Sequence, residues 1–172
     1  SRKAGPPHDI RLGFWYNRQT RSSAITVVFT QRKEHRMERY VIGLDFGTNS
    51  CRSVIFDLDD GAAVASHVFN YPSGELGILI DRKDPNLARQ NPRDYLDATR
   101  AVVTAAVRKA RKAVKRFDPA RIIAIGIDTT GSTPIPVDRA GTPLGMKKQF
   151  ARNLNAMAWL WKDHTSHAEA AE

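Results

Sequence analysis

Apolar positions in this chain gather into short runs closed by acids, glycines and prolines, and the spacing within each run predicts its element. Tyr40-Val41-Ile42-Gly43-Leu44-Asp45 is a buried-strand pattern that ends on a carboxylate and a glycine turn. Ser53-Val54-Ile55-Phe56-Asp57 is a second strand, and the turn Asp59-Asp60-Gly61 leads to a third at residues 63–69. These three strands predict an antiparallel meander. Residues 71–91 are polar and carry Pro72, Gly74, Gly77 and Pro85, the composition of a long loop of the kind that is functional or inserted.

Asn91-Pro92 then opens a helix, with Asn91 as N-cap, Pro92 at the first position and Asp94 in the first turn. Tyr95, Val102, Val103, Ala106, Val107, Ala110, Val114 and Phe117 recur at three- and four-residue spacing, and Asp118-Pro119 stops the pattern. Arg108, Lys109, Arg111, Lys112 and Lys115 crowd the opposite face and the last turns, where cations suit the helix dipole. Residues 121–128 are nearly all apolar, which predicts a strand central in the sheet. Residues 134–137 with the turn Asp138-Arg139-Ala140-Gly141 predict a short hairpin, and residues 167–172 a helix. The order β-β-β-α-β is the opening of an α/β domain, specifically an α+β arrangement around one mixed sheet.

The regular pattern begins only after residue 36. Upstream of Met37, one short apolar run at 24–29 stands among scattered arginines and the breaker Gly5-Pro6-Pro7, so 1–36 reads as an unstructured basic leader and 37–172 as the domain. That leader is a read-through, a cloning scar or a misplaced start, with an Arg-rich transit peptide as the alternative. Charge follows the same division. The chain carries 27 basic and 18 acidic residues for a net +9, and residues 1–36 hold eight basic against two acidic ones. Most of the excess therefore lies outside the domain, and the basic helix face is a solvated surface, so nucleic acid is not the expected partner. No run approaches the roughly 20 apolar residues of a membrane helix, so no membrane is expected. The single cysteine, Cys51, excludes an internal disulfide and a Cys-rich zinc module and fits a reducing, cytoplasmic setting.

Three stretches carry candidate chemistry. Asp45-Phe46-Gly47-Thr48-Asn49-Ser50-Cys51-Arg52 joins two strands; Gly47 permits a tight turn whose N–H groups can face an anion. Thr48, Asn49 and Ser50 add neutral donors, Arg52 a fork suited to phosphate, and Asp45 a carboxylate that could hold Mg²⁺. It is not a P-loop, because G-x-x-x-x-G-K-[ST] is missing and a strand follows; an ordinary polar hairpin turn is the plainer alternative. Gly126-Ile127-Asp128-Thr129-Thr130-Gly131-Ser132-Thr133-Pro134 places small hydroxylated residues beyond a strand's C-terminal end, where open sheets bind ligands, although such residues also simply tolerate turns. Trp159-Leu160-Trp161-Lys162-Asp163-His164-Thr165 could stack an indole on a sugar, or merely bury its tryptophans. His164 and His167 lack the spacing of a zinc site.

Together the blocks from Ile42 to Val54, from Gly126 to Asp138, and Asn155-Ala156-Met157 with Leu160-Trp161-Lys162-Asp163-His164-Thr165 resemble the FGGY family of carbohydrate kinases, its ribulokinases most closely. The first block is shared with the wider actin, Hsp70 and hexokinase superfamily; the second and third at this separation are more specific. Glycerol kinases would carry an Arg-Glu pair near Gly131-Ser132, which is not there.

The resemblance implies a ribonuclease H-like, actin-like ATPase fold and transfer of the ATP γ-phosphoryl group to a ketopentose, L-ribulose, in L-arabinose catabolism. It implies ATP and Mg²⁺ as cofactors, with Asp45 near the metal and Gly47, Thr48, Asn49, Ser50 and Arg52 in the phosphate hairpin. It assigns Gly131, Ser132, Thr133, Trp161, Lys162 and Asp163 to the sugar side, and gives Asp128 a shaping role at the strand end. The family's general base and adenine site lie beyond the matched region, in part within a second ATPase domain. The chain is thus expected to be an N-terminal piece that is inactive alone and needs that C-terminal domain as partner. Two further readings are a non-catalytic sugar- or nucleotide-binding module and another pentulose kinase of the family, for xylulose or D-ribulose.

Overall fold

The computed structural model describes residues 38–172 in full and, within the first 37, the backbone of strands β1 (Ile10–Asn17) and β2 (Ser22–Phe29). The chain divides into two compact units, Ser1–Met37 and Glu38–Glu172. In the first, β1 and β2 pair antiparallel from Ile10↔Phe29 to Asn17↔Ser22. This corrects the expectation of an unstructured leader. The apolar run at 24–29 lies in β2, but its partner escaped notice although Ile10, Leu12, Phe14 and Tyr16 alternate with period two.

The second unit is built on a four-stranded sheet of β3 (Tyr40–Phe46), β4 (Ser50–Asp57), β5 (Ala63–Asn70) and β8 (Ile122–Thr129), in the order β5-β4-β3-β8. β3, β4 and β5 form the antiparallel meander, and β8 runs parallel to β3. The β3–β4 turn closes by a bond from the Gly47 N–H to the Ser50 carbonyl at 2.9 Å. Between β4 and β5, Gly61 takes a left-handed φ of 72° that other residues avoid.

Helix α1 (Pro92–Ala113) starts as expected, with the Asn91 side chain accepting from the Arg93 N–H. It ends earlier than the apolar spacing predicts: Val114 turns to extended backbone while its N–H still bonds the Ala110 carbonyl. Phe117 therefore reaches the core from a turn and packs on Tyr40, with ring centroids 4.8 Å apart. Small residues Ala98, Ala105, Ala106 and Ala110 with Val102 form the buried face of α1, which lies over β4 and β5. They meet Tyr40, Ile42, Leu44, Cys51 and Ile55, and the buried Ser53 hydroxyl donates to the Val102 carbonyl at 2.9 Å.

The strand expected at the centre is at the edge. Among the described residues β8 pairs only with β3, and Ile125 and Ile127 are 60% and 65% exposed. Their sheet positions face the helix side, since Ile125 pairs with Ile42 and Ile127 with Leu44, but α1 covers the strands on the far side of β3. An all-apolar run signals a strand built to be covered, not that the described residues cover it.

Residues 71–91 hold more order than a loop. Strands β6 (Leu79–Ile80) and β7 (Ala88–Gln90) join β9 (Ala158–Trp159) in a small antiparallel sheet, order β6-β7-β9. The hairpin at 134–141 shrinks to one bridge, Val137↔Pro143, around a turn in which the Asp138 N–H bonds the Thr142 carbonyl. The helix expected at 167–172 is a single 3-10 turn, Glu169–Ala171. No helix of the described residues is long and apolar enough to cross a membrane.

Candidate active site

The C-terminal ends of β3 and β8 put their functional groups on both faces of the sheet. Asp45 pairs in register with Arg52 on β4 and with Asp128 on β8, so all three occupy the face away from α1. With Gly43, Val54 and Gly126 they line an open groove of about 610 Å³. Arg52 Nη2 lies 2.6 Å from Asp45 Oδ2, both groups about half exposed. Asp128 accepts from its neighbour, the Thr129 N–H, at 3.0 Å.

On the other face, Phe46, Tyr95, Thr129, Thr130, Thr133 and Ile135 line a pocket of about 270 Å³. The Thr130 N–H bonds the Phe46 carbonyl at 3.0 Å, which fixes the threonine-rich turn to the end of β3, and the Thr130 and Thr133 hydroxyls lie 3.3 Å apart. Gly131 and Ser132 are exposed at the tip, where Ser132 has a φ of 54°.

The turn between β3 and β4 is held from several directions. The Asn49 side-chain amide donates to the Leu76 carbonyl at 2.7 Å, and the Asn49 carbonyl accepts from the Tyr71 N–H. Gln90 Nε2 donates to the Thr48 carbonyl at 2.7 Å, while Tyr95 donates its hydroxyl to Gln90 Oε1 at 2.6 Å. Trp161, 113 residues away, donates its indole Nε1–H to Thr48 Oγ1 at 3.1 Å. The late tryptophan block and the glycine hairpin, distant in sequence, thus touch. Lys162 stays exposed, its ammonium 5.5 Å from the Trp161 ring.

Asp163 departs from the expected sugar-facing role. Its side chain is only 7% exposed, and its oxygens pair with Arg89 Nη1, accept from the Ala88 N–H at 2.8 Å and accept from the Thr165 hydroxyl at 2.5 Å. These partners all belong to β7 and the following turn. Arg89, 1% exposed, also stacks its guanidinium on Trp159 at 4.0 Å, and burial pulls its pKa below the ordinary value.

Among the described residues no three His, Cys, Asp or Glu side chains are grouped to hold a metal ion. A Mg²⁺ held mainly by phosphate oxygens and water would take one carboxylate from the protein, and Asp45, about half exposed, has the chemistry for it. From Asp45 to Arg52 the hairpin's sole acid is Asp45, and Asp128 stands beside it on β8.

Residues 40–168 match the N-terminal domain of the FGGY family of carbohydrate kinases. The chain belongs to this family. FGGY relatives include the ribulokinase of Vibrio parahaemolyticus, 41% identical over 133 residues, and that of Shouchella clausii, 38% identical over 140. Those matches take in 77% and 79% of this chain but only 23% and 24% of the relatives, so the chain spans about a quarter of their length. Among solved structures, the gluconate kinase of Lactobacillus acidophilus superposes with a TM-score of 0.58 at 22% identity, covering 78% of this chain and 22% of that one. A xyloylose kinase from Brucella ovis gives 0.56 at 20%, covering 77% and 22%. At such identities the two structures establish the sugar-kinase fold, the mixed α/β sheet of the actin-like ATPases.

The sequence did not point to Gln90, Arg89, Phe46 or Tyr95. Gln90 and Arg89 precede a helix cap and carry the polarity of a loop; only pairing with β9 reveals that both are 1% exposed.

Proposed function

We propose that this domain supplies the N-terminal half of a cytoplasmic, ATP-dependent pentulose kinase site, transferring the γ-phosphoryl group to L-ribulose to give L-ribulose 5-phosphate for L-arabinose catabolism. The observation that carries the reading is the contact of the Trp161 indole with the Thr48 hydroxyl, because it joins the acceptor-side block to the phosphate hairpin. The name ribulokinase carried by the relatives supports ribulose as the acceptor. In this reading Gly47, Thr48, Asn49 and Ser50 cradle the phosphates, and Arg52 leaves Asp45 to meet an incoming phosphate oxygen. Asp45, released, would hold Mg²⁺, which would supply neutralisation of charge on the transferring group. Gly131, Ser132 and Thr133 border the acceptor, with the half-exposed Trp161 as its stacking surface and Lys162 at its rim.

With the groove open to water, every charge contact is weakened, so the chain alone does not turn over. The test is a chimera in which this domain replaces the matching segment of the Vibrio parahaemolyticus ribulokinase, assayed for ADP release. Expected is turnover with L-ribulose in preference to D-xylulose, lowered roughly a hundredfold by Asp45→Asn. A preference for D-xylulose overturns the substrate assignment. A folded chimera that releases no ADP with any pentulose, beside an active parent, overturns the kinase reading.

A further inference from the structure

Two adjacent residues of a three-residue strand reach the two motifs of the site from opposite sides. Successive side chains of a strand point to opposite faces, so Arg89 and Gln90 on β7 diverge. Arg89 pairs across the sheet with Trp159, stacks on its ring, and holds the carboxylate of Asp163. Asp163 in turn is bonded to the Ala88 N–H, and the Leu160 N–H to the Ala88 carbonyl, so the chain on both sides of Trp161 is tied to β7. Gln90 points the other way and grips the Thr48 carbonyl, its own oxygen fixed by the Tyr95 hydroxyl. The indole of Trp161 closes the ring on Thr48 Oγ1.

A threonine hydroxyl has one proton and two lone pairs. When the indole N–H occupies a lone pair, the Thr48 hydroxyl keeps its own proton free to donate. We propose that β7 is a strut whose residues Arg89 and Gln90, with Asp163, are positioning residues. They hold Trp161 against Thr48 so that the Thr48 O–H is aimed outward as a donor to a phosphate oxygen. The last step rests on the phosphate reading above; the strut itself does not. Buried charge-assisted bonds suit this task because they fix geometry where long exposed side chains would wander.

The experiment uses the full chain, labelled with ¹⁵N, and follows the Trp161 indole N–H resonance, assigned by its loss in Trp161→Phe. In the wild type that proton exchanges slowly, and in Thr48→Val it exchanges freely. Asp163→Asn and Gln90→Met each raise its exchange rate about five- to tenfold or more, the loss of one ordinary hydrogen bond, while unfolding stays cooperative. A residue that only adds stability would lower the unfolding midpoint and leave the indole of the folded molecule protected. If Asp163→Asn does not fold, Thr165→Val, which removes one bond to that carboxylate, makes the same comparison. Wild-type indole protection in the folded variants of both arms overturns the strut. Titration with inorganic tripolyphosphate and Mg²⁺ then separates the two ideas. Binding that weakens in Asp163→Asn and Gln90→Met supports the aimed hydroxyl. A protected indole with no tripolyphosphate binding keeps the strut and overturns its phosphate role.

Discussion

Cys51 sits fully buried on β4, directly across from Phe46, and burial, with Asp45 adding to it, pushes the thiol up from about 9 to about 11. At pH 8 the folded protein therefore holds almost no thiolate there, and the side chain has no exposed surface. Thiol labelling by a disulfide reagent at pH 8 is expected to be at least about a hundredfold slower in buffer than in urea; comparable rates would show that β4 opens readily. Two neighbours along the same hairpin behave differently. Asp45 and Arg52 are exposed, so their ion pair adds little stability. Asp163 and Arg89 are buried, and removing either would leave an uncompensated charge. A carboxylate's sequence neighbours do not distinguish these cases; its burial does.

At the scale of elements, α1 approaches the sheet closely because its buried face is mostly alanine. Ala106→Leu is expected to cost about 1–3 kcal/mol by overpacking, read from chemical denaturation at constant m-value. β3 and β8 provide the complementary comparison. Ile42 and Ile125 are paired in register and both belong to apolar runs, yet Ile42 is buried and Ile125 mostly exposed. Ile42→Ala should destabilise by about 2–5 kcal/mol and Ile125→Thr by about 0.5 kcal/mol or less. Equal losses would mean that β8 is covered in solution. The sequence made both strands legible through their composition, along with the N-cap of α1 and the meander. The two- and three-residue strands β6, β7 and β9 were not legible, because a segment that short carries no period of its own and β7 meets β9 only across some 70 residues.

For the domain as a whole, the ionisable groups set opposite limits on pH. Burial, and then a hydrogen bond to Glu38, raises Tyr40 to about 12; burial, and then the charge of Asp94, raises Tyr95 to about 12. Groups whose folded pKa is raised contribute stability below their unfolded value and lose it as pH climbs toward the folded one. Stability should therefore fall from about pH 9, as Cys51 begins to ionise in the unfolded chain, and more steeply above pH 10 with the tyrosines. In a Tyr16→Phe background, tyrosinate absorbance should rise together with loss of circular dichroism; a rise at pH 10 in the still-folded protein would contradict the burial of Tyr40, Tyr71 and Tyr95. On the acid side, Lys147, with the Thr142 and Ala140 N–H groups, holds Asp138 below its usual range. Its contribution is present above the ordinary aspartate value and is lost as pH drops further. The 138–142 turn is thus expected to loosen only below about pH 4.

The amino-acid sequence determined the order of the main elements, the strand ends that carry acids and glycines, and the family, because period, capping chemistry and motif spacing are local properties. It also placed the candidate groups of all three motif blocks. Tertiary structure alone decided which of them meet. The indole of Trp161 reaches Thr48, and Asp163 turns inward to Arg89, because β7 and β9 pair; the helix-side face of β8 stays exposed among the described residues because α1 lies over β4 and β5. Those outcomes depend on which surfaces come within a few ångströms of one another, and distance through space is not written along the chain.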